Sequence, residues 1–325
     1  MKSKLKAGII GGAGYTGGEM VRLLLHHPSV DLEFIQSRSQ AKKPLHHVHP
    51  DLIGESSLIF TESFTTPVDV LFICLSHGES KKLLSQHSFP ETTRIIDLGN
   101  DFRIGDKAGR RAFVYGLPEL QREVIRKAGN IANPGCFATT IQLGLLPLAK
   151  AHILNEVYTT GITGSTGAGR KLQEFTHFTW RTSNVSAYKA LTHQHMAEIN
   201  QTLNSLQPGF GEQVNFVPWR GDFARGIFAT SLVECKLELP EINSLYKEYY
   251  ATHPFTHIAD QMIDIKQVVN TNKCLIFLEK VGHKLAIHSV TDNLLKGASG
   301  QAVQNMNLMF GLEETEGLLL KGSVY

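Results

Sequence analysis

The sequence predicts an α/β protein, a doubly wound unit with a parallel sheet followed by an α+β unit. Three observations predict it. The apolar run Leu5–Ile10 opens directly into Gly11-Gly12-Ala13-Gly14-Tyr15-Thr16-Gly17-Gly18, and apolar Met20, Val21, Leu24 and Leu25 follow at helical spacing. Short apolar runs, Val68–Leu75 and Arg94–Leu98, then alternate with helical stretches such as Ser80–His87. Beyond about residue 155 the runs lengthen and alternate in polarity, as in Val157–Ile162, Ile227–Leu237, Cys274–Leu278 and Lys284–Val290.

At 325 residues the chain is long enough for two cores. Net charge is +2 with no basic block, which gives no electrostatic footprint for nucleic acid. No uncharged apolar stretch reaches the roughly 18 residues of a membrane span. The start, Met1–Lys6, passes straight into a strand without a signal-peptide core, so a cytoplasmic location is expected. Cys74, Cys136, Cys235 and Cys274 are widely spaced and form no C-x-x-C pair, which fits reduced thiols. His46-His47-Val48-His49 lies in a proline-flanked loop without zinc-type spacing, and no metal is expected.

The first motif in chain order is the glycine turn. Strand, glycine turn and helix together form a setting in which backbone can approach a pyrophosphate and the helix N-terminus can meet its charge. Gly11, Gly14, Tyr15, Thr16 and Gly17 are the candidates, at a G-x-x-G-x-x-G rather than G-x-G-x-x-G spacing. A Rossmann-type dinucleotide domain follows. The second strand, Val30–Ile35, ends in Gln36-Ser37-Arg38-Ser39. Where NAD selection places an acid for the ribose 2′-hydroxyl, Ser37, Arg38 and Ser39 suit a 2′-phosphate, so NADP is expected. Ser76, His77 and Gly78 follow a later strand and are candidates to line the same cleft.

Asn133-Pro134-Gly135-Cys136 then sets a turn before the apolar run Phe137–Leu146, so a helix begins at or just after the cysteine. Unpaired N–H groups at a helix start favour thiolate over thiol, and a thiolate attacks carbonyl carbon. Three constellations lie beyond it. Gly164-Ser165-Thr166-Gly167-Ala168-Gly169-Arg170 is a second glycine turn, and His193-Gln194-His195 stands before Glu198. Arg220 and Arg225 lie in a turn-rich stretch. A histidine shuttles protons near pH 7, and arginines hold phosphate or carboxylate.

Along nearly its whole length the chain resembles the N-acetyl-gamma-glutamyl-phosphate reductase family, relatives of aspartate-semialdehyde dehydrogenase. The resemblance rests on Gly11–Gly18, Asp97-Leu98-Gly99-Asn100-Asp101-Phe102-Arg103, Tyr115–Glu119, Asn133–Cys136, Gly164–Arg170, His193-Gln194-His195 and Asp292–Asn307. It implies a second domain of the glyceraldehyde-phosphate-dehydrogenase-like type. It implies domain boundaries of 1–133 with 297–325 for the NADP domain and 134–296 for the catalytic and oligomerisation domain. Cys136 is then the nucleophile and one of His193 and His195 the acid/base. Gly164, Gly167 and Asn293 are expected near the nicotinamide, and Arg103, Asn133, Glu198, Arg220 and Arg225 near substrate. The implied partners are a small-molecule N-acyl-glutamyl phosphate and a second copy, as homodimer or homotetramer through the second domain.

Two departures from the family stand out. Phe137 and Ala138 follow the cysteine, where tyrosine and proline are common. Phe216–Gly226 carries Trp219-Arg220 where the family has histidine after the proline, and the extra cation suits a second carboxylate, as on an N-succinyl substrate. The expected reaction is NADPH-dependent reduction of the acyl phosphate to the semialdehyde, with phosphate released, through a Cys136 thioester at the junction of the domains. The alternatives are the same reaction on an N-succinyl substrate, aspartate-semialdehyde dehydrogenase, and a non-catalytic NADP-binding regulator.

Overall fold

The structure is a computed structural model that describes residues 3–64, 67–211 and 213–323. It divides into two compact units, Met1–Pro134 with Ala298–Leu319, and Gly135–Gly297 with Leu320–Tyr325.

The first unit runs β1 (Leu5–Ile10), α1 (Tyr15–Leu25), β2 (Val30–Gln36), β3 (Val70–Ile73), α2 (Glu79–Gln86), β4 (Arg94–Asp97), β5 (Lys107–Ala108), β6 (Arg111–Ala112), β7 (Val114–Tyr115), α3 (Pro118–Arg126) and β8 (Asn130–Ala132). Six strands form a parallel sheet in the order β2-β1-β3-β4-β8-β7, while β5 and β6 pair as a separate ribbon. Strand order reverses about β1, the doubly wound topology expected from the alternating runs. Central strands are buried on both faces, so they read as apolar runs rather than alternations; Val70, Leu71, Phe72 and Ile73 are all fully buried.

The second unit runs α4 (Cys136–Lys150), β9 (Val157–Thr163), α5 (Phe178–Arg181), β10 (Ser186–Ala187), α6 (Met196–Leu206), β11 (Val214–Arg220), β12 (Ile227–Glu234), α7 (Leu239–Tyr250), β13 (Thr256–Ile258), β14 (Cys274–Val281) and β15 (Lys284–Thr291). Its seven strands form a mixed sheet, β10-β11-β9-β12-β15-β14-β13. Alternation is plain in β9, where Val157, Thr159, Gly161 and Thr163 turn inward and Tyr158 and Thr160 outward. The chain then returns to the first unit with α8 (Ser299–Phe310), which packs on α1 and α3.

Among the longer strands, β11 is missing from the sequence expectation. β11 alternates Val214, Phe216 and Pro218 inward with Asn215, Val217 and Trp219 less buried. Pro218 disguises it, because proline cannot donate to a ladder. Its carbonyl still accepts from the Tyr188 N–H at 3.1 Å, so the chain order beside it is kept.

Helix α4 is buried along almost its whole length, from Phe137 to Ala149. It carries Pro147, which removes the N–H that would otherwise bond the Leu143 carbonyl one turn back. The fully buried phenols of α7 meet this region. Tyr250 donates to the Leu143 carbonyl, and Tyr246 donates to that of Gly144 at 2.7 Å. The two hydroxyls thus satisfy carbonyls at the proline kink. Tyr250→Phe is expected to cost about 1–3 kcal/mol, the penalty of an unpaired buried carbonyl. Urea unfolding should show that cost shrinking when Pro147→Ala restores an N–H to the helix.

Candidate active site

The glycine turn is shaped by contacts that no side chain would tolerate. Gly11 has φ +85°, and a Cβ there would lie 2.5 Å from the Cys74 carbonyl oxygen. At Gly17 a Cβ would meet Gly11 and Gly12 backbone at 2.7 Å. Gly14 differs. It is the N-cap of α1, it faces open space, and no side chain caps the helix there. Tyr15 and Thr16 form the first turn of α1. A bare helix start bordered by a side-chain-free turn fits a pyrophosphate. His49 braces the turn from behind. Its Nε2 lies 2.8 Å from the Gly12 carbonyl oxygen, and a Cβ on Gly18 would strike its ring at 2.6 Å. That buried brace gives the histidine-rich loop its role, and no group of potential metal ligands is found among the described residues.

A pocket of about 290 Å³ opens beside the turn, lined by Gly11, Ser37, Arg38, Ser39, Leu75 and Lys82 among others. Ser37 and Ser39 place their hydroxyls 3.5 Å apart, and Arg38 begins the short helical turn between them. Glu79 also lines the pocket, but β2 itself ends in hydroxyls and a cation, which fit a ribose 2′-phosphate.

Ser76, His77 and Gly78 are exposed beyond β3. Gly78, at φ +82°, donates its N–H to Asp101 at 2.7 Å, and Lys81 N–H donates to the same carboxylate at 2.9 Å. Asp101 therefore caps α2. Its neighbour Asp97 accepts from the Ser80 hydroxyl at 2.7 Å, and burial pushes its carboxyl up to about 6. Arg103 donates to the Leu98 carbonyl at 2.9 Å. Much of the Asp97–Arg103 motif thus builds the turn at the carboxyl end of β4.

In the second unit Cys136 is the first residue of α4, with Gly135 as N-cap and no acid in the first turn. The Gly135 N–H donates to Glu198 Oε2 at 2.9 Å, and Glu198 Oε1 lies 3.9 Å from His195 Nε2. A Cβ on Gly135 would sit 2.3 Å from that Nε2, so the imidazole rests directly on the backbone beside the cysteine. Gly297 gives room on another side, where a Cβ would fall 2.8 Å from the Cys136 Cβ.

His193 has a different setting. Its ring meets those of Phe137, Phe216 and Tyr188 edge-on at 5.6, 5.5 and 5.7 Å, and that of His195 at 4.7 Å. Nδ1 accepts the His195 N–H at 3.3 Å. Burial, aided by the His195 charge, lowers its pKa to about 3, so it stays neutral. Both histidines lie in the turn that leads into α6, which brings their rings together although they belong to neither strand nor helix.

Four of the residues expected near ligand also make contacts within the fold. Asn133 donates to the Ala298 carbonyl at 3.0 Å and accepts from Asn305 at 3.1 Å, tying β8 to α8. Asn293 accepts the Gly226 N–H at 2.7 Å and donates to the Thr166 hydroxyl at 3.0 Å. Arg225 pairs with buried Asp292 at 2.9 Å. Glu198 holds Gly135 and faces His195, which makes it a positioning residue. Gly164 serves the same structural end, since a Cβ there would meet the Ala224 carbonyl oxygen at 2.4 Å, while Gly167 is less confined. Arg220 alone of the two arginines faces aromatic rings instead of an acid, over Phe175 and Tyr188. Tyr188 escaped the sequence reading; its only signal was its position five residues before the histidine pair.

Residues 6–128 match the family described as semialdehyde dehydrogenase, NAD binding domain, and residues 136–293 the one described as semialdehyde dehydrogenase, dimerisation domain. Fold and site thus define a protein of the semialdehyde dehydrogenase class. Proteins named N-acetyl-gamma-glutamyl-phosphate reductase are 57% identical in Phocaeicola vulgatus and 54% in Christiangramia forsetii, each alignment covering 99% of this chain and 100% of the relative. The chain belongs to the N-acetyl-gamma-glutamyl-phosphate reductase family. In fold it is similar to aspartate semialdehyde dehydrogenase II from Vibrio cholerae, with TM-score 0.74 at 18% identity over 95% of this chain and 99% of that one. The Candida albicans aspartate semialdehyde dehydrogenase with NADP gives 0.71 at 14% over the same shares.

Two tests follow from the geometry. Cys74 is pushed up to about 12 by burial and Asp97, and Cys235 and Cys274 are buried. Iodoacetamide should therefore label Cys136 first, and Gly135→Ala, which displaces the imidazole, should slow that labelling. For His193, the unfolded chain takes up a proton as pH falls through its ordinary 6.5, whereas the folded chain waits until about 3. Between those values the unfolded state holds more protons, so His193 withdraws stability as pH falls through that window. His193→Asn should flatten the acid limb of a denaturant-midpoint profile.

Proposed function

We propose that the chain reduces an N-acyl-gamma-glutamyl phosphate to the N-acyl-glutamate 5-semialdehyde and phosphate with NADPH, a step of arginine biosynthesis. The observation that carries this reading is the Gly135 step, where a cysteine opens a buried helix with an imidazole seated beside it and a carboxylate behind. An acyl phosphate is electrophilic enough for a thiolate, whereas a free carboxylate is not. The Cys136 sulfur attacks the acyl carbon, phosphate leaves with the bonding pair, and a thioester remains. First-turn N–H groups of α4 lack partners within the helix and stabilise first the thiolate, then the oxyanion. NADPH, when bound, supplies the hydride that takes the acyl carbon to the aldehyde level. The hemithioacetal oxyanion so formed collapses to the aldehyde and expels Cys136 as thiolate; where that oxygen is first protonated by His195, the same imidazole takes the proton back as the C–S bond breaks. His193 stays neutral and holds the His195 backbone, so of the pair His195 is the acid/base. Glu198 orients its ring.

Gly11, Gly14 and Gly17 hold the pyrophosphate, and Ser37, Arg38 and Ser39 the 2′-phosphate. A homodimer or homotetramer through the second unit is supported by the dimerisation description of residues 136–293 and by the paired outward side chains Tyr158 and Leu232, 54% and 47% exposed. No helix among the described residues is long and apolar enough to cross a membrane. A catalytic thiolate needs a reducing compartment, which supports the cytoplasm. A silent NADP-binding regulator would have no use for the His195–Glu198 pair behind a cysteine.

Cys136→Ala should keep NADPH binding, followed by fluorescence, and lose all turnover of the acyl phosphate. Retained turnover sinks the covalent route. Arg38→Ala should raise the KM for NADPH by about 10- to 100-fold, the loss of charge-assisted hydrogen bonds, and leave that for NADH little changed.

A further inference from the structure

Beside the imidazoles lies a cluster that the reaction as described does not use. Arg220 closes β11, and its guanidinium carbon lies 4.2 Å from the ring centre of Phe175 and 3.8 Å from that of Tyr188. Tyr188 in turn meets His193 at 5.7 Å, and the charge of Cys136, after burial, helps push its phenol up. The cluster therefore belongs to the cysteine's surroundings. Arg181 stands close enough to Arg220 for the two cations to oppose each other's charge. It is buried, its guanidinium reaches the Thr163 carbonyl at 3.4 Å, and its Nε has no partner. Asp222 offsets the charge of Arg181 in part. Arg220 has no ion pair or side-chain hydrogen bond among the described residues; its neighbours are the two rings. Two guanidiniums against one carboxylate leave a positive charge unmatched.

Stacking on rings fixes a guanidinium by its face and leaves its in-plane N–H donors for a bidentate anion. We propose that Arg220, backed by Arg181, receives a carboxylate at the far end of the substrate's N-acyl group. This deepens the reductase reading and rests on it: the substrate class becomes a dicarboxylic N-acyl glutamyl phosphate of the succinyl type. An acetyl group ends in a methyl and offers the guanidinium no anionic acceptor at that end. The α-carboxylate and the phosphate lie nearer the reacting carbon along the substrate. A succession of contacts, His195 to His193 to Tyr188 to Arg220, sets the guanidinium away from the Gly135 step, a placement that favours the distal end of the acyl chain.

The test runs the full chain in the phosphorylating direction, with NADP, inorganic phosphate and either N-succinyl- or N-acetylglutamate semialdehyde, followed by NADPH absorbance. The expected kcat/KM is about 10- to 100-fold higher for the succinyl compound, the value of one charge-assisted pair. Arg220→Met should erase most of that ratio through the succinyl KM, and Arg220→Lys should restore part of it. NADPH binding by each variant reports that the chain is folded. An equal or better rate with the acetyl compound overturns the proposal without any variant. So does an Arg220→Met loss shared equally by both substrates, which marks the α-carboxylate, or a raised KM for phosphate, which marks the phosphoryl site. Absence of turnover with either semialdehyde by the unaltered chain instead removes the reductase reading itself.

Discussion

An imidazole lying against a glycine α-carbon where any other residue would carry a Cβ is the contact on which the site depends. It needs glycine at 135, since a methyl there would sit 2.3 Å from His195 Nε2. It needs Glu198 one turn into α6, so that one carboxylate can hold both the Gly135 N–H and the edge of the ring. It also needs α4 to begin at Cys136, and not one residue later, for the sulfur to stand at the positive end of the helix. Each element is fixed by something remote. α4 is anchored through its kink by phenols from α7, and α6 is set by the turn that carries the histidines.

Two histidines of the same short motif stand in opposite settings. His193 is enclosed by aromatic rings and loses its charge to desolvation. His195 keeps a carboxylate within reach.

Several residues typical of the family also hold the scaffold together. Asp97 and Asp101 close the end of β4 and the start of α2, Asn133 and Asn305 stitch β8 to α8, and Asn293 joins the second glycine turn to the strand pair behind it. Buried polar groups must find partners, and long loops at strand ends supply few from regular structure. A motif can therefore mark a site by building its walls.

The class of fold, the glycine turn, the cysteine at a helix start and the His193-Gln194-His195 motif could be read from the residues alone, because each depends on local patterns: strand-to-turn-to-helix order, period, and backbone freedom at glycine. Ser37-Arg38-Ser39 was legible for the same reason, as a charge pattern at the end of a strand. Only the tertiary structure decided what depends on approach between distant segments. It separated His195 from His193, took Arg225, Asn133 and Asn293 into the scaffold, and left Arg220 among rings without an acid. It also revealed β11, whose Pro218 breaks the strand pattern, and His49 as the brace of the first turn. Hydrogen-bond partners and desolvation are set by residues far away in the chain, and neither is written in the local run of side chains.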